Sequence, residues 1–267
     1  MELRRLRDQA GVTIETVADR LGCSSSKISR IETGHIGVSP RDATEMLAIY
    51  EVDPALAAEL IQTAKDARQK GWWQAYGTAL TGAYVGFEQA TSRIRGYEAQ
   101  LIPGLLQTPD YATAVFTAAR PNITIELLRS RLEVRSKRQS LLSLDDPVDF
   151  QVILDEAALR RVVGNAEIMS AQLGHMLEVA QEPNITVQVI PFSRGAHAGM
   201  EGTFVILEYS EGVYQDLVFV ENAVGGLFLE KDVDLDRYRT LFGILQETAL
   251  NAERSLELIS ERAKELQ

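Results

Sequence analysis

Ala18 and Gly22 stand four residues apart at the junction of two short apolar stripes, and this spacing constrains the start of the chain more than any other feature. The earlier stripe, Ile14, Val17, Ala18 and Leu21, has a helical period, begins after the capping residue Thr13 and is closed by Gly22. The later stripe, Ile28 and Ile31, follows "CSSS", where Ser24 or Ser25 can accept a hydrogen bond from first-turn N–H groups. A small side chain at Ala18 lets the second helix lie close upon the first across a sharp turn, as a helix-turn-helix requires. Two further patterns flank this pair. Leu3, Leu6 and Ala10 stop at Gly11, and Ala43, Met46, Leu47 and Tyr50 follow Ser39 as cap and Pro40 at the first helical position. Helices this short are unstable singly, so the four must share one core. The outward residues of the third, Ser25, Ser26, Lys27, Ser29 and Arg30, can all form hydrogen bonds.

The chain has 267 residues, enough for about two ordinary domains. Its net charge of −11 argues at first sight against a nucleic-acid partner. Position matters more than the sum: residues 1–52 hold seven Lys and Arg against eight Asp and Glu, so nearly all the acidity lies downstream. A near-neutral segment can present a basic face, although one copy alone should bind DNA weakly. No apolar run approaches the roughly 20 residues of a membrane helix, and "MELRRLRDQA" lacks the apolar core of a secretory signal. A cytoplasmic protein, nucleoid-associated when bound to DNA, is expected, with no membrane partner. A single cysteine, Cys23, excludes an intrachain disulfide and argues against a cysteine-built metal site.

The stretch "LRRLRDQAGVTIETVADRLGCSSSKISRIETG" resembles the helix-turn-helix domain of the xenobiotic-response-element class, related to phage repressors. By position, the resemblance implies that Ser25, Ser26, Ser29 and Arg30 face DNA bases. It places Thr13 and Lys27 at phosphate-contacting positions, and Ser24, the cap, is assigned with them. Ile14 departs from the pattern, standing where a glutamine often clasps phosphate. Arg30 should carry most of the direct specificity, because its guanidinium can donate two hydrogen bonds to guanine, whereas serine reads bases ambiguously. The plainer reading pairs Arg30 with a nearby acid such as Glu32 or Asp19 and leaves the serines as caps.

After residue 52 a connecting helix through Leu56, Leu60, Ile61 and Ala64 leads into "GWWQAYG", and residues 53–79 read as a connector. Trp72, Trp73 and Tyr76 suit a dimer patch, a ligand shelf or a plug joining two domains, of which the plug is the commonest fate. Residues 80–267 read as an α/β or α+β domain with a helical end. Strand-like runs lie at Phe150–Asp155, Ile185–Pro191, Thr203–Tyr209 and Leu217–Glu221, and helical ones at Thr124–Leu142, Ala166–Gln181, Leu235–Thr248 and Ala252–Leu266. In the run from Leu127 to Leu142, Arg129, Arg131, Arg135, Lys137 and Arg138 read as the solvated face of a helix whose Leu128, Leu132, Val134 and Leu141 pack inward; contact with DNA backbone is the rival reading. "GGLFLE" reads as a turn into an apolar strand.

His197, in "RGAHAG", has Arg194, Glu201 and Glu156 near it in sequence or after neighbouring strands, a set able to abstract a proton or hold an anion. No Walker loop, dinucleotide glycine pattern or HExxH motif accompanies it, and His35, His175 and His197 are too scattered for a metal site. Neither catalysis nor a metal or cofactor is expected.

"YEAQLIPGLLQTPDYA", "VILDEAALRR", "NITVQVIPFSRGAHAGMEGTFVILEY" and "GGLFLE" together resemble, over roughly residues 80–262, the C-terminal domain of actinobacterial antitoxin-like transcriptional regulators, a domain of unknown function. That resemblance implies a transcription factor controlled by a small protein encoded by a neighbouring gene. The expectation is therefore a mixed fold, an all-α helix-turn-helix domain over residues 1–52 ahead of the α+β domain, which binds double-stranded DNA as a homodimer. The alternatives are an antitoxin-like interaction module, or a ligand-sensing regulator with a small-molecule pocket in the second domain; Trp72, Trp73, Arg194 and His197 are its candidate ligand or partner residues.

Overall fold

The structure is a computed structural model that describes residues 2–33, 37–66, 82–210, 214–222 and 225–267. The chain divides into two compact units, residues 1–75 with 210–215 and residues 76–209 with 216–267. Among the described residues no helix is long and apolar enough to cross a membrane.

The first unit contains α1 (Glu2–Gln9), α2 (Ile14–Leu21), α3 (Ser25–Glu32), α4 (Pro40–Ile49) and α5 (Pro54–Asp66). Each of the middle three begins on a hydroxyl cap: Thr13, Ser24 and Ser39 accept hydrogen bonds from the amides of Thr16, Lys27 and Asp42. Gly22 ends α2 at φ +62°, a backbone conformation that strains any residue with a Cβ. Val17, Ala18, Ile28, Met46 and Leu47 are almost wholly buried in one cluster, which Leu6, Ile31 and Tyr50 complete.

At α1 the structure departs from the sequence reading. Ala10 is exposed, and Arg7 turns inward in its place. Its Nε and Nη2 donate to the two carboxylate oxygens of Glu32 at 2.7 and 3.0 Å, and Nη1 donates to the carbonyl of Val12 at 3.0 Å. The Tyr50 hydroxyl donates to the same carboxylate at 3.3 Å. Burial is tolerated because both charges meet partners in fork geometry; removal of one partner would strand the other in an apolar core.

The second unit is built on a six-stranded sheet in the order β3-β2-β1-β4-β5-β6. Its strands are β1 (Arg93–Glu98), β2 (Asp149–Asp155), β3 (Ile185–Ile190), β4 (Phe204–Glu208), β5 (Leu217–Asn222) and β6 (Gly225–Leu229). Helix α6 (Gly82–Gln89) precedes the sheet. The first three strands are parallel, with α7 (Pro109–Ala119) and α8 (Ile125–Gln139) between β1 and β2, and α9 (Glu156–Arg160) and α10 (Ala166–Val179) between β2 and β3. The other three are antiparallel, and α11 (Asp232–Thr248) and α12 (Ala252–Lys264) form the helical end. Tyr97, Ile153, Phe204, Ile206 and Val218 pack with Leu235, Phe242 and Leu245 of α11. The edge of β3 is covered: the Val189 amide donates to Ser255 Oγ at 3.0 Å and its carbonyl accepts from the Leu250 amide at 2.8 Å.

Two features depart from the sequence reading. "RIRGYE" is the central strand β1, although its charges and glycine disguise it. Arg95 lies on the buried α11 face, paired with Glu208 and set over the Phe242 ring, so it stands where an apolar residue would announce a strand. The second is α8, whose cations are not a solvated face. Arg129 and Lys137 are exposed, but Arg138 is buried and Arg131 and Arg135 line an internal cavity, while Leu128 and Leu132 are only half-buried.

Arg7→Ala should cost the first unit about 3–5 kcal/mol, measured by denaturant unfolding of the full chain, because Glu32 is left charged and buried. Most of that loss should return in Arg7→Met/Glu32→Leu, which removes both charges together.

Candidate functional site

Helix α3 presents two unlike faces. Ile28, Ile31 and Glu32 are buried, whereas Ser26 and Arg30 are exposed and Ser25 and Ser29 half-exposed. The second set occupies positions i, i+1, i+4 and i+5, which share one side of a helix. The structure therefore brings the four sequence-predicted base-facing residues together on one surface. Among the described residues no hydrogen bond engages the hydroxyls of Ser25, Ser26 and Ser29, and no carboxylate pairs with Arg30. The pairing of Arg30 with Glu32 is overturned, since Arg7 and Tyr50 occupy that carboxylate.

The phosphate-facing candidates differ in how far they are engaged. Ser24 is exposed, and its oxygen accepts from the Lys27 amide at 3.2 Å, which leaves the hydroxyl proton available to donate. Thr13 likewise accepts from the Thr16 amide at 3.2 Å; its oxygen lies 3.0 Å from Thr16 Oγ1, so its proton is available when Thr16 is the donor. Lys27 is already committed: its Nζ lies 2.8 Å from Asp42 of α4. That hydrogen bond raises the Lys27 amine above its ordinary value and holds the Asp42 carboxyl below the usual carboxylate range. Ile14 packs against the core and offers no polar reach.

The second-unit candidates do not converge. His197 Nε2 lies 3.0 Å from Asp155 Oδ2, and Nδ1 accepts from the Gly199 amide at 3.2 Å. Through Nδ1 His197 caps the turn Ala198–Glu201, and its other ring nitrogen is held by Asp155. Glu156 accepts from Arg160 and the Phe192 amide, Glu201 faces Arg237, and Arg194 is exposed at another turn. Trp72, Trp73 and His35 lie outside the described residues. Sequence reading missed Asp155 as the partner of His197, although an Asp closing a strand and capping the next helix was a visible signal.

A family model described as a helix-turn-helix domain matches residues 1–60, and one described as a domain of unknown function (DUF5753) matches residues 81–261. No curated protein and no solved structure matches the chain.

The Lys27–Asp42 pair is part-exposed, so Asp42→Asn should cost under about 1 kcal/mol at neutral pH. Because the folded carboxyl titrates lower than the unfolded one, the contribution is complete above the unfolded value, about 3.9, and is lost as pH falls through the lowered folded value. Thermal unfolding of wild type and Asp42→Asn should therefore differ at pH 7 and converge at about pH 2–3.

Proposed function

We propose, on the premise that this chain belongs to the DUF5753 family and carries a helix-turn-helix domain ahead of the family's domain, that it is a sequence-specific DNA-binding transcriptional regulator. The carrying observation is the outward face of α3, where among the described residues the Arg30 guanidinium and three serine hydroxyls are uncommitted, on a helix anchored from behind by Glu32. Such a helix fits the major groove, the only groove in which each base pair shows its own donor and acceptor pattern. Arg30 would meet a guanine edge, the serines would adapt to neighbouring bases, and Ser24 and Thr13 would donate to phosphates.

Four side chains give one copy limited discrimination, and the first fifty residues have no net positive charge. A homodimer reading two half-sites one helical turn apart supplies the rest. While Lys27 stays beside Asp42 its charge is largely offset, so the pair holds back part of the electrostatic attraction to phosphate. Control passes through the second unit. The motif resemblance favours a small protein partner encoded nearby; the cavity behind α8 favours a second reading, a sensing unit for a small molecule.

Arg30→Ala should weaken binding to an operator selected from a random pool by roughly 1–3 kcal/mol, or about 5- to 150-fold, with Tm unchanged. Fluorescence anisotropy on selected and scrambled duplexes measures it, and equal affinity of wild type and variant for the selected operator would reject Arg30 as the reader. Asp42→Asn should strengthen binding to both duplexes and steepen the dependence on salt by about one ion released per copy.

A further inference from the structure

The inward-facing arginines of α8 surround a cavity of about 430 Å³ within the second unit. One side is the sheet, where Ile94, Phe150, Val152, Val205 and Phe219 present apolar surface and Gly96 leaves the floor open. The other side carries guanidiniums that differ in a telling way. Arg138 is charge-matched, with Nε and Nη2 donating to Glu88 at 2.6 and 2.7 Å and its plane 5.2 Å from the Tyr84 ring. Arg131 and Arg135 have no carboxylate partner among the described residues. Both instead lie over the same Phe116 ring, at 5.4 and 5.2 Å, and Arg135 donates to the neutral amide oxygen of Gln107 at 3.0 Å. The Nε of Arg131 is buried with no hydrogen-bond partner.

Charge on the wall is out of balance. Burial, and then the nearby charge of Arg138, push the Arg135 guanidinium down to about 9, and burial lowers Arg131 as well. Burial also pushes the Glu98 carboxyl up to about 8, so it is uncharged at neutral pH although Thr203 hydrogen-bonds to it. The guanidiniums of Arg120, Arg131, Arg135 and Arg138 line the cavity together with the carboxyls of Glu88, Glu98 and Glu221, and among the described residues Arg138–Glu88 is the one ion pair that they form with each other. Part of the surface of Arg135 and Glu98 remains accessible because the cavity reaches them, while protein atoms surround them on other sides. A fold that only needed an amphipathic helix would have no use for two half-buried guanidiniums turned toward a cavity without an ion-pair partner among the described residues.

We propose that this cavity is a binding site for a small organic anion, whose carboxylate or phosphate is held by Arg131 and Arg135 and whose apolar body lies on the sheet beside Phe150, Val152 and Phe219. An oxyanion supplies the acceptor that the Arg131 Nε lacks and the counter-charge that both guanidiniums lack. Glu98 and Thr203 add polar groups to the cavity wall, so a ligand with a carbonyl or ether oxygen fits it better than a plain hydrocarbon chain. The volume falls in the range of small-molecule sites, and a bare inorganic ion would leave the apolar wall unfilled. Gly104 belongs to the site: a Cβ there would lie 2.0 Å from Arg135 Nη1, so any side chain would displace the guanidinium. The proposal rests on reading the second unit as a sensing unit; its binding test uses no DNA and is independent of the role of α3.

The test is calorimetric titration and thermal unfolding of the full chain with 4-phenylbutyrate, phenyl phosphate, the uncharged 4-phenylbutanol and inorganic phosphate. At least one of the two organic anions should bind saturably and raise Tm, and their ranking identifies the head group. 4-Phenylbutanol and inorganic phosphate should each bind at least about tenfold more weakly. Arg131→Gln/Arg135→Gln should lose binding of the organic anion by at least about tenfold while Tm in its absence holds or rises. Arg138→Gln, which strands Glu88, should lower Tm. Gly104→Ala, which keeps both charges but moves one, should weaken the anion without abolishing folding. The proposal is overturned if neither organic anion binds more tightly than 4-phenylbutanol, if the double variant binds as wild type does, or if the double variant loses as much Tm as Arg138→Gln.

Discussion

A single buried carboxylate, that of Glu32 at the end of α3, sets the orientation on which the proposed DNA-reading surface depends. Arg7 grips it from α1 and the Tyr50 hydroxyl reaches it from the end of α4, so three helices are tied at one point. Apolar packing of Ile28 and Ile31 alone would tolerate some rotation of a helix this short; a forked, charge-assisted pair does not. With Glu32 held inward, the helical period turns Ser25, Ser26, Ser29 and Arg30 outward. The same clamp consumes the acid nearest in sequence to Arg30, which leaves that guanidinium without a carboxylate partner among the described residues.

The second unit follows a related logic with the opposite outcome. Charges enter the interior of its sheet region on both faces of β1. On the α11 side, Arg95 meets Glu208, and Arg239 meets Asp216. On the α8 side, Arg138 meets Glu88, but among the described residues Arg131 and Arg135 meet an aromatic ring and an amide rather than a carboxylate. The ion pairs need no more than a structural explanation, although Arg95 Nε and Glu208 Oε2 share with Arg131 Nε the lack of a hydrogen-bond partner; what sets Arg131 and Arg135 apart, and underlies the proposed anion site, is that neither has a carboxylate partner among the described residues.

What could be read directly from the sequence was local. Caps at Thr13, Ser24 and Ser39, the left-handed stop at Gly22 and the small contact residue Ala18 act within a few positions of themselves, so their signals survive without knowledge of the fold. The strands β2, β3, β4 and β5 carry dense β-branched and aromatic runs and were visible for the same reason. The misses share a cause. Arg7 finds Glu32 across 25 positions, Arg95 finds Glu208 across 113, and Arg138 finds Glu88 across 50. A buried charge looks like a surface residue until its partner is known, so the sequence of α1 points to Ala10 rather than Arg7 as the inward residue, the charges of β1 hide a strand, and the cations of α8 resemble a solvated face. The outward face of α3 follows from the helical period of Ile28 and Ile31, whereas the sequestration of Lys27 by Asp42 depends on how α4 packs and has no sequence signal.

Methylation interference on a selected operator tests most directly whether α3 reads the major groove. Dimethyl sulfate marks guanine N7 in the major groove and adenine N3 in the minor groove, and the duplexes that remain bound are then sequenced. The expected result is that N7 methylation blocks binding at guanines in two patches about one helical turn apart, with adenine N3 methylation there tolerated. Binding indifferent to N7 methylation throughout the operator, or blocked only by N3 methylation, would contradict it.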